Sequence, residues 1–296
     1  MKRVLLIYNP MAGTQEFNVL LDEAISVFQR EGIQLDIYRS REQMDFYNYL
    51  EQSACTLYQA VIVAGGDGSV SLALNAMMKK DIRIPLGIIP AGTSNDFAYY
   101  LGISPNLHEA IRQLSKMNTR WIDVGKVNDI YFINVCGGGV LPNVAHKVDR
   151  EAKNIWGKAA YYVNGFMEMG KNKTFRIKLR ADEEEFEMDV FLYLVMNGPS
   201  AGGFTKMGVK ASADDGKLDF IAIKSLNLID VPMLFSKILR GEHFNDNHVQ
   251  YLKGENFEID FLSGDKETEA TSVDGEMGPD YPLSIQVCKH HLEVIF

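Results

Sequence analysis

Residues 60–69, Ala60-Val61-Ile62-Val63-Ala64-Gly65-Gly66-Asp67-Gly68-Ser69, place a short apolar run rich in β-branched side chains directly ahead of a glycine loop. Val70-Ser71-Leu72-Ala73-Leu74-Asn75-Ala76-Met77-Met78 follows with the composition of a helix. A strand, a tight loop and a helix start form the local architecture in which backbone N–H groups converge on an anion and the helix N-terminus adds positive potential. Asp67 is itself an anion and cannot meet a phosphate directly. A divalent cation between the two resolves the conflict, and magnesium suits oxygen ligands. The loop therefore points to a magnesium-dependent nucleotide enzyme. Taken alone, a plain βα turn with Asp67 favoured by turn geometry explains the same residues.

Two further segments carry the same signature. Val4-Leu5-Leu6-Ile7-Tyr8 is a buried-type strand broken by Asn9-Pro10 and Gly13. In Ile84 to Ala98 an apolar run ends in Gly92-Thr93-Ser94, and Asn95-Asp96 open a helix. Three such loops are expected side by side at the carboxyl edge of one parallel sheet, where open α/β folds bind their ligands.

Composition narrows the function. At 296 residues with 46% hydrophobic content, the chain is long enough for two domains with real cores. A net charge of −9 argues against a nucleic-acid partner, which normally meets a basic excess. Cys55, Cys136 and Cys288 are scattered and odd in number, which argues against disulfides and structural zinc. No apolar run reaches the roughly 18 residues of a membrane span, and Val4 to Tyr8 is too short for a signal-peptide core. The expectation is a soluble, cytoplasmic protein, with peripheral contact at a membrane surface left open.

The texture changes along the chain. Residues 1–127 alternate strand-like and helical runs, which predicts an α/β domain with a parallel sheet. Leu20, Leu21, Ala24, Ile25, Val27 and Phe28 give one helical face, Ile33 to Tyr38 a strand and Leu107 to Met117 a helix. Residues 128–296 predict a β-rich, sandwich-like domain, with strands at 131–135, 175–179, 190–196, 218–223 and 257–261. Trp156 to Met169 and Val231 to Leu239 read as helices within it. Leu283 to Val287 and Leu292 to Phe296 read as final strands.

Asn9-Pro10 with Gly13, the Gly65–Ser69 loop, and Gly92-Thr93 with Asn95-Asp96-Phe97-Ala98 resemble the catalytic domain of the diacylglycerol kinase family, in particular its soluble bacterial lipid kinases. Asp123-Val124-Gly125, Ala211 to Asp219 and Asp274-Gly275-Glu276 continue the resemblance in the family's order. The chain departs from the pattern in three places. Ser69 replaces the commoner Thr, Val209 stands where Pro often precedes the Ala211 stretch, and Val140-Leu141-Pro142 follows Gly137-Gly138-Gly139 in place of an acidic residue.

The resemblance implies an ATP- and Mg2+-dependent kinase acting on a hydroxyl of a diacylglycerol-like lipid. It implies that Asn9, Pro10, Met11, Ala12 and Gly13, together with Gly65, Gly66, Asp67, Gly68, Ser69, Val70 and Ser71, hold the nucleotide through backbone groups. Ser40 and the Thr93 hydroxyl join them. Asp67, Asp96 and Asp123 are implied around the ATP-bound magnesium, and Glu276 as the general base that takes the proton of the lipid hydroxyl. A second, structural magnesium is implied at Asp215, with backbone carbonyls of Ser212 and Lys217. Each residue also has a plainer reading. Asp96 suits a helix cap, Asp274-Gly275 a hairpin turn, and the Asp215-Gly216 stretch a turn into the strand at Leu218.

From Lys147 to Arg180, nine Lys and Arg face three acids and interleave with Trp156, Tyr161, Tyr162, Phe166 and Met167. Such a surface suits anionic lipid. The rival enzymes sharing a Gly-Gly-Asp-Gly loop are NAD kinase and phosphofructokinase. Against the first, no Gly-Ser-Thr-Ala-Tyr segment occurs. Against the second, no earlier Gly-Gly-Asp-x-x-Gly loop precedes this one. A non-catalytic nucleotide- or lipid-binding regulator is the rival of another class, disfavoured by the joint presence of Asp67, Asp96 and Glu276. A homodimer is left open.

Overall fold

The computed structural model describes residues 2–42, 44–52, 55–139, 174–200, 204, 206–227, 230–264 and 269–296. The expected helix Trp156 to Met169, the Val140-Leu141-Pro142 departure and most of the basic stretch lie outside the described residues. The chain divides into two units, Met1–Val124 with Lys289–Phe296, and Gly125–Cys288.

The first unit alternates β1 (Lys2–Tyr8), α1 (Leu21–Arg30), β2 (Ile33–Arg39), α2 (Asp45–Gln52), β3 (Val61–Gly65), α3 (Asp67–Lys79), β4 (Leu86–Pro90), α4 (Asp96–Tyr100) and α5 (Leu107–Ser115), then enters β5 (Thr119–Val127). Its sheet runs β2-β1-β3-β4, all parallel, and Val294 near the chain's end pairs with Leu86 of β4 in the same sense. Every residue of β3 and β4 is buried. This is why both read as continuous apolar runs and not as alternating ones. Ala24 and Phe28 of α1, and Ala110, Ile111 and Leu114 of α5, are buried at helical spacing. The α/β class with a parallel sheet is borne out.

The second unit is β-rich, as expected. It contains β6 (Ile130–Phe132), β7 (Val135–Gly139), β8 (Phe175–Ala181), β9 (Glu184–Met196), β10 (Leu218–Lys224), α6 (Val231–Arg240), β11 (Val249–Gly254), β12 (Asn256–Ser263), β13 (Thr271–Val273), β14 (Glu276–Met277) and the start of β15 (Leu283–Ile295). β9 is the spine, pairing antiparallel with β8 along its first half and with β7 and β10 along its second. Pleating sends alternate residues to opposite faces. Tyr193 and Val195 join a core with Phe175, Phe220, Phe257 and Ile285. Leu192, Leu194 and Met196 join another, covered by Val231, Leu234 and Ile238 of α6. Burial on both faces makes the second half of β9 apolar throughout. Each such large side chain contributes about 1.5–3 kcal/mol.

The single strand expected over 131–135 is broken between Phe132 and Val135, because Ile133 and Asn134 give their backbone N–H groups to the carboxylate of Asp274. The two expected final strands are one, β15. Its start pairs with β12 in the second unit, and its end lies in the first.

Candidate active site

Register builds the nucleotide side of the site. Tyr8 pairs with both Arg39 and Ala64, and Gly65 pairs with Pro90. The chain therefore leaves these strands at one level of the sheet's carboxyl edge. The ladder continues one residue further. Asn9 N donates to Ala64 O at 2.9 Å, Ser40 N to Tyr8 O at 2.9 Å and Ala91 N to Gly65 O at 3.1 Å. Asn9, Ser40, Gly66 and Ala91 thus start a row of loops, and Ser40 is buried there.

The first loop folds on its own polar groups. Asn9 Oδ1 accepts from Met11 N at 2.9 Å, an Asx turn, and Asn18 Nδ2 donates to Pro10 O at 2.9 Å. Pro10 and Ala12 are buried, while Met11 and Gly13 are exposed.

The second loop is shorter than the sequence suggests. The helix expected from Val70 begins at Asp67, with Gly66 as its extended N-cap. An acidic residue in the first turn complements the helix dipole. Ser69 N and Val70 N donate to Gly66 O at 3.0 and 3.2 Å inside the first turn. Asp67 and Gly68 occupy the first two helical positions, where backbone N–H groups point out of the helix end. Ser69, Val70 and Ser71 are buried.

The third loop is locked to the second. Asn95 adopts the left-handed conformation, φ 54° and ψ 40°. Its backbone N donates to Asp67 Oδ2 at 2.9 Å. Its side chain accepts from Gly92 N at 3.0 Å and donates to Gly92 O at 2.9 Å and Pro90 O at 3.3 Å. Gly92 lies against Gly66 so closely that a Cβ there would overlap the Gly66 Cα. Gly92→Ala is accordingly expected to cost about 1–3 kcal/mol through overpacking. A thermal melt of the purified variant checks this, and a melting temperature equal to the wild type's contradicts it. Thr93 is exposed on this loop, and Asp96 is buried in the first turn of α4.

Asp123 is fully buried in β5, and its Oδ1 accepts from His290 N at 2.8 Å. Among the described residues, no three carboxylate, imidazole or thiol side chains group closely enough to hold a metal by themselves. Asp67, Asp96 and Asp123 therefore do not form a three-carboxylate cage. Magnesium normally keeps several waters and binds through one or two carboxylates plus substrate phosphates. The all-oxygen donor set of this region fits that demand.

In the second unit Glu276 is exposed on β14, directly after a two-residue turn. Asp274 and Gly275 have φ 48° and 89°, the type I′ geometry for which Asp-Gly is preferred. Hairpin and projecting carboxylate coexist.

The expected second metal position holds a built-in cation. Asp215 Oδ1 accepts from Lys217 N at 3.0 Å, and Asp215 Oδ2 lies 2.6 Å from Lys253 Nζ. Lys253 also lies 3.7 Å from Asp219 Oδ2 and donates to Lys210 O at 3.4 Å. Ser212 Oγ donates to Asp214. Burial works against the Lys253 charge, but the Asp215 and Asp219 carboxylates outweigh it and hold its pKa above the ordinary lysine value. Burial pushes the Asp219 carboxyl upward.

Sequence reasoning passed over three participants. Asn95 reads, with Asp96, as the opening of a helix, and its bond to Asp67 spans 28 positions. Lys253 meets Asp215 across 38 positions. Asp274 reads as a turn residue, and its Asp-Gly context gives no sign of partners about 140 positions away.

A parallel α/β unit whose glycine loops and helix N-terminus meet an aspartate, followed by a β-rich unit, defines a phosphotransferase. Residues 3–127 match the model of the diacylglycerol kinase catalytic domain, and residues 134–296 that of the YegS C-terminal NAD kinase beta sandwich-like domain. The chain belongs to the diacylglycerol kinase family and is a lipid kinase. It is 31% identical over 296 residues to the diacylglycerol kinase of Bacillus subtilis (strain 168), covering 100% of this chain and 96% of the relative. It is also 31% identical over 293 residues to that of Staphylococcus saprophyticus, covering 99% and 95%. A crystal structure from Bacillus anthracis str. Sterne superposes with a TM-score of 0.85 at 30% identity, covering 100% of this chain and 95% of that one. A crystal structure of a diacylglycerol kinase from the same organism gives 0.79 at 26% identity, covering 100% and 97%. Among the described residues, no helix is long and apolar enough to cross a membrane.

Proposed function

We propose that this lipid kinase transfers the γ-phosphoryl group of ATP, with magnesium, to a free hydroxyl of a diacylglycerol-like lipid. The observation that carries the reading is the union of the second and third loops. A helix N-terminus suited to phosphate stands beside a carboxylate that is itself fixed by Asn95 N at 2.9 Å. Backbone groups of Asn9–Gly13 and of Gly66, Asp67 and Gly68 bind and orient the nucleotide phosphates, with Ser40 and Thr93 completing the cradle. Bound magnesium supplies charge neutralisation at the phosphates undergoing transfer. Asp67 would hold that ion, with Asp96 and Asp123 as the further carboxylates that would support it. Glu276 accepts the proton of the lipid hydroxyl as its oxygen bonds to the γ-phosphorus and the bond to the leaving phosphate oxygen breaks. The substrate resides in lipid, so the enzyme works peripherally, at a cytoplasmic membrane surface.

The test is label transfer from γ-labelled ATP to a panel of extracted lipids in magnesium. Label in a glycerolipid phosphomonoester is expected. Label released only as inorganic phosphate contradicts the reading.

A second magnesium at Asp215, with the carbonyls of Ser212 and Lys217, belongs to the same proposal and competes with the Lys253 ammonium. Lys253→Met is expected to enlarge the rise in melting temperature that magnesium produces, and Asp215→Ala to remove that rise. Equal magnesium responses in the wild type and both variants contradict an ion at this position.

A further inference from the structure

The Asp274 carboxylate is anchored by three backbone N–H groups. It is buried, although it sits in a two-residue hairpin turn, where side chains usually face water. Its Oδ2 accepts from Ile133 N at 2.8 Å, and its Oδ1 accepts from Asn134 N and Val135 N, each at 2.9 Å. Its own backbone N donates to Val135 O at 2.9 Å. The residues it grips are themselves fixed from another side. Asn197, fully buried at the end of β9, donates through Nδ2 to Ile133 O at 3.0 Å and through its backbone N to Asn134 O at 2.9 Å. The turn is thus tied to the spine of the unit through the 133–135 segment.

We infer that Asp274 is the positioning residue for Glu276. Three charge-assisted bonds fix the orientation of the turn from which Glu276 emerges two residues later. Val273 pairs with Glu276 across the hairpin, and β13 is held by β7 through Thr271–Gly138, Ser272–Gly137 and Val273–Cys136. β14 is only two residues long, and Met277 beside Glu276 is 82% exposed. Packing of β14 itself therefore does little to fix the Glu276 backbone, and the turn sets where that residue emerges. The break between β6 and β7 has the same origin. A continuous ladder through Ile133 and Asn134 would consume the N–H groups that Asp274 needs.

The inference rests on the reading of Glu276 as general base, and the test separates the two. Asp274→Asn keeps the shape but presents an amide donor to a row of donors, loosening the turn. Gly275→Ala strains the same turn at φ +89° with nothing within 4 Å of the added Cβ, so this variant stays folded even if the first does not. A misaimed base loses about 10- to 100-fold in turnover. Lipid kcat is expected to fall by that factor in either variant, with the KM for ATP unchanged. Neither substitution should lower kcat further in a Glu276→Gln background. Normal kcat in folded Asp274→Asn, or losses that multiply with that of Glu276→Gln, overturn the positioning role. Normal kcat in Glu276→Gln alone overturns the base reading, and the positioning role with it.

Discussion

In Asp67→Asn, phosphoryl transfer is expected to fall by about 10²- to 10³-fold or more, the scale of removing one preorganised electrostatic stabiliser. Phosphoryl transfer depends almost entirely on positioning and charge neutralisation, so losing the group that holds the ion is costly. The substitution keeps the side chain's size and leaves an amide oxygen to accept from Asn95 N, which Asp67 Oδ2 does now at 2.9 Å. The second and third loops should stay joined, and the melting temperature without nucleotide should stay near the wild type's. Steady-state kinetics paired with a thermal melt make the check. Near-normal turnover in a folded variant removes the main support for a magnesium-linked role of Asp67.

The second large effect falls at Glu276. A positioned general base contributes about 10²- to 10⁴-fold, and glutamine preserves shape and hydrogen bonding while refusing the proton. Glu276→Gln is expected to lose lipid turnover by a factor in that range. The loss should appear in kcat, because the proton moves in the transition state. ATP affinity should be nearly unchanged, since the nucleotide loops belong to the first unit and Glu276 to the second. Paired ATP-binding and lipid-turnover measurements decide the matter. A drop of less than about tenfold contradicts general-base catalysis. Loss of ATP binding would assign Glu276 to the nucleotide or metal, with Asp123 next in line for the proton.

Much of the architecture is legible because burial writes itself into composition. β1, β3 and β4 are apolar runs ended by Asn-Pro or glycine, since each is buried in a parallel sheet and must release the chain sharply at its carboxyl end. The second half of β9 reads equally well for the same reason. Its first half, Glu184 to Asp189, does not, because those residues are mostly exposed and acidic. β11 is half-buried along most of its length and passes unnoticed. The lost pieces of the site share one physical cause, which is long-range contact. That Asn95 clamps Asp67, that Lys253 answers Asp215, and that Asp274 interrupts a strand about 140 residues earlier all depend on pairings that no local pattern encodes. The start of α3 at Asp67, three residues before the apolar helix pattern begins, follows from dipole and capping preferences, which shift boundaries without changing composition.

The most direct measurement of the central claim locates the transferred phosphate. Wild type and Asp67→Asn are incubated side by side with γ-labelled ATP, magnesium and diacylglycerol in mixed micelles, and the lipid product is fragmented in a mass spectrometer. The account predicts a phosphomonoester on the free hydroxyl of the lipid, formed by the wild type only when magnesium is present and scarcely formed by the variant. A wild-type product without a lipid-bound phosphate, or equal lipid phosphorylation by both proteins, would contradict it.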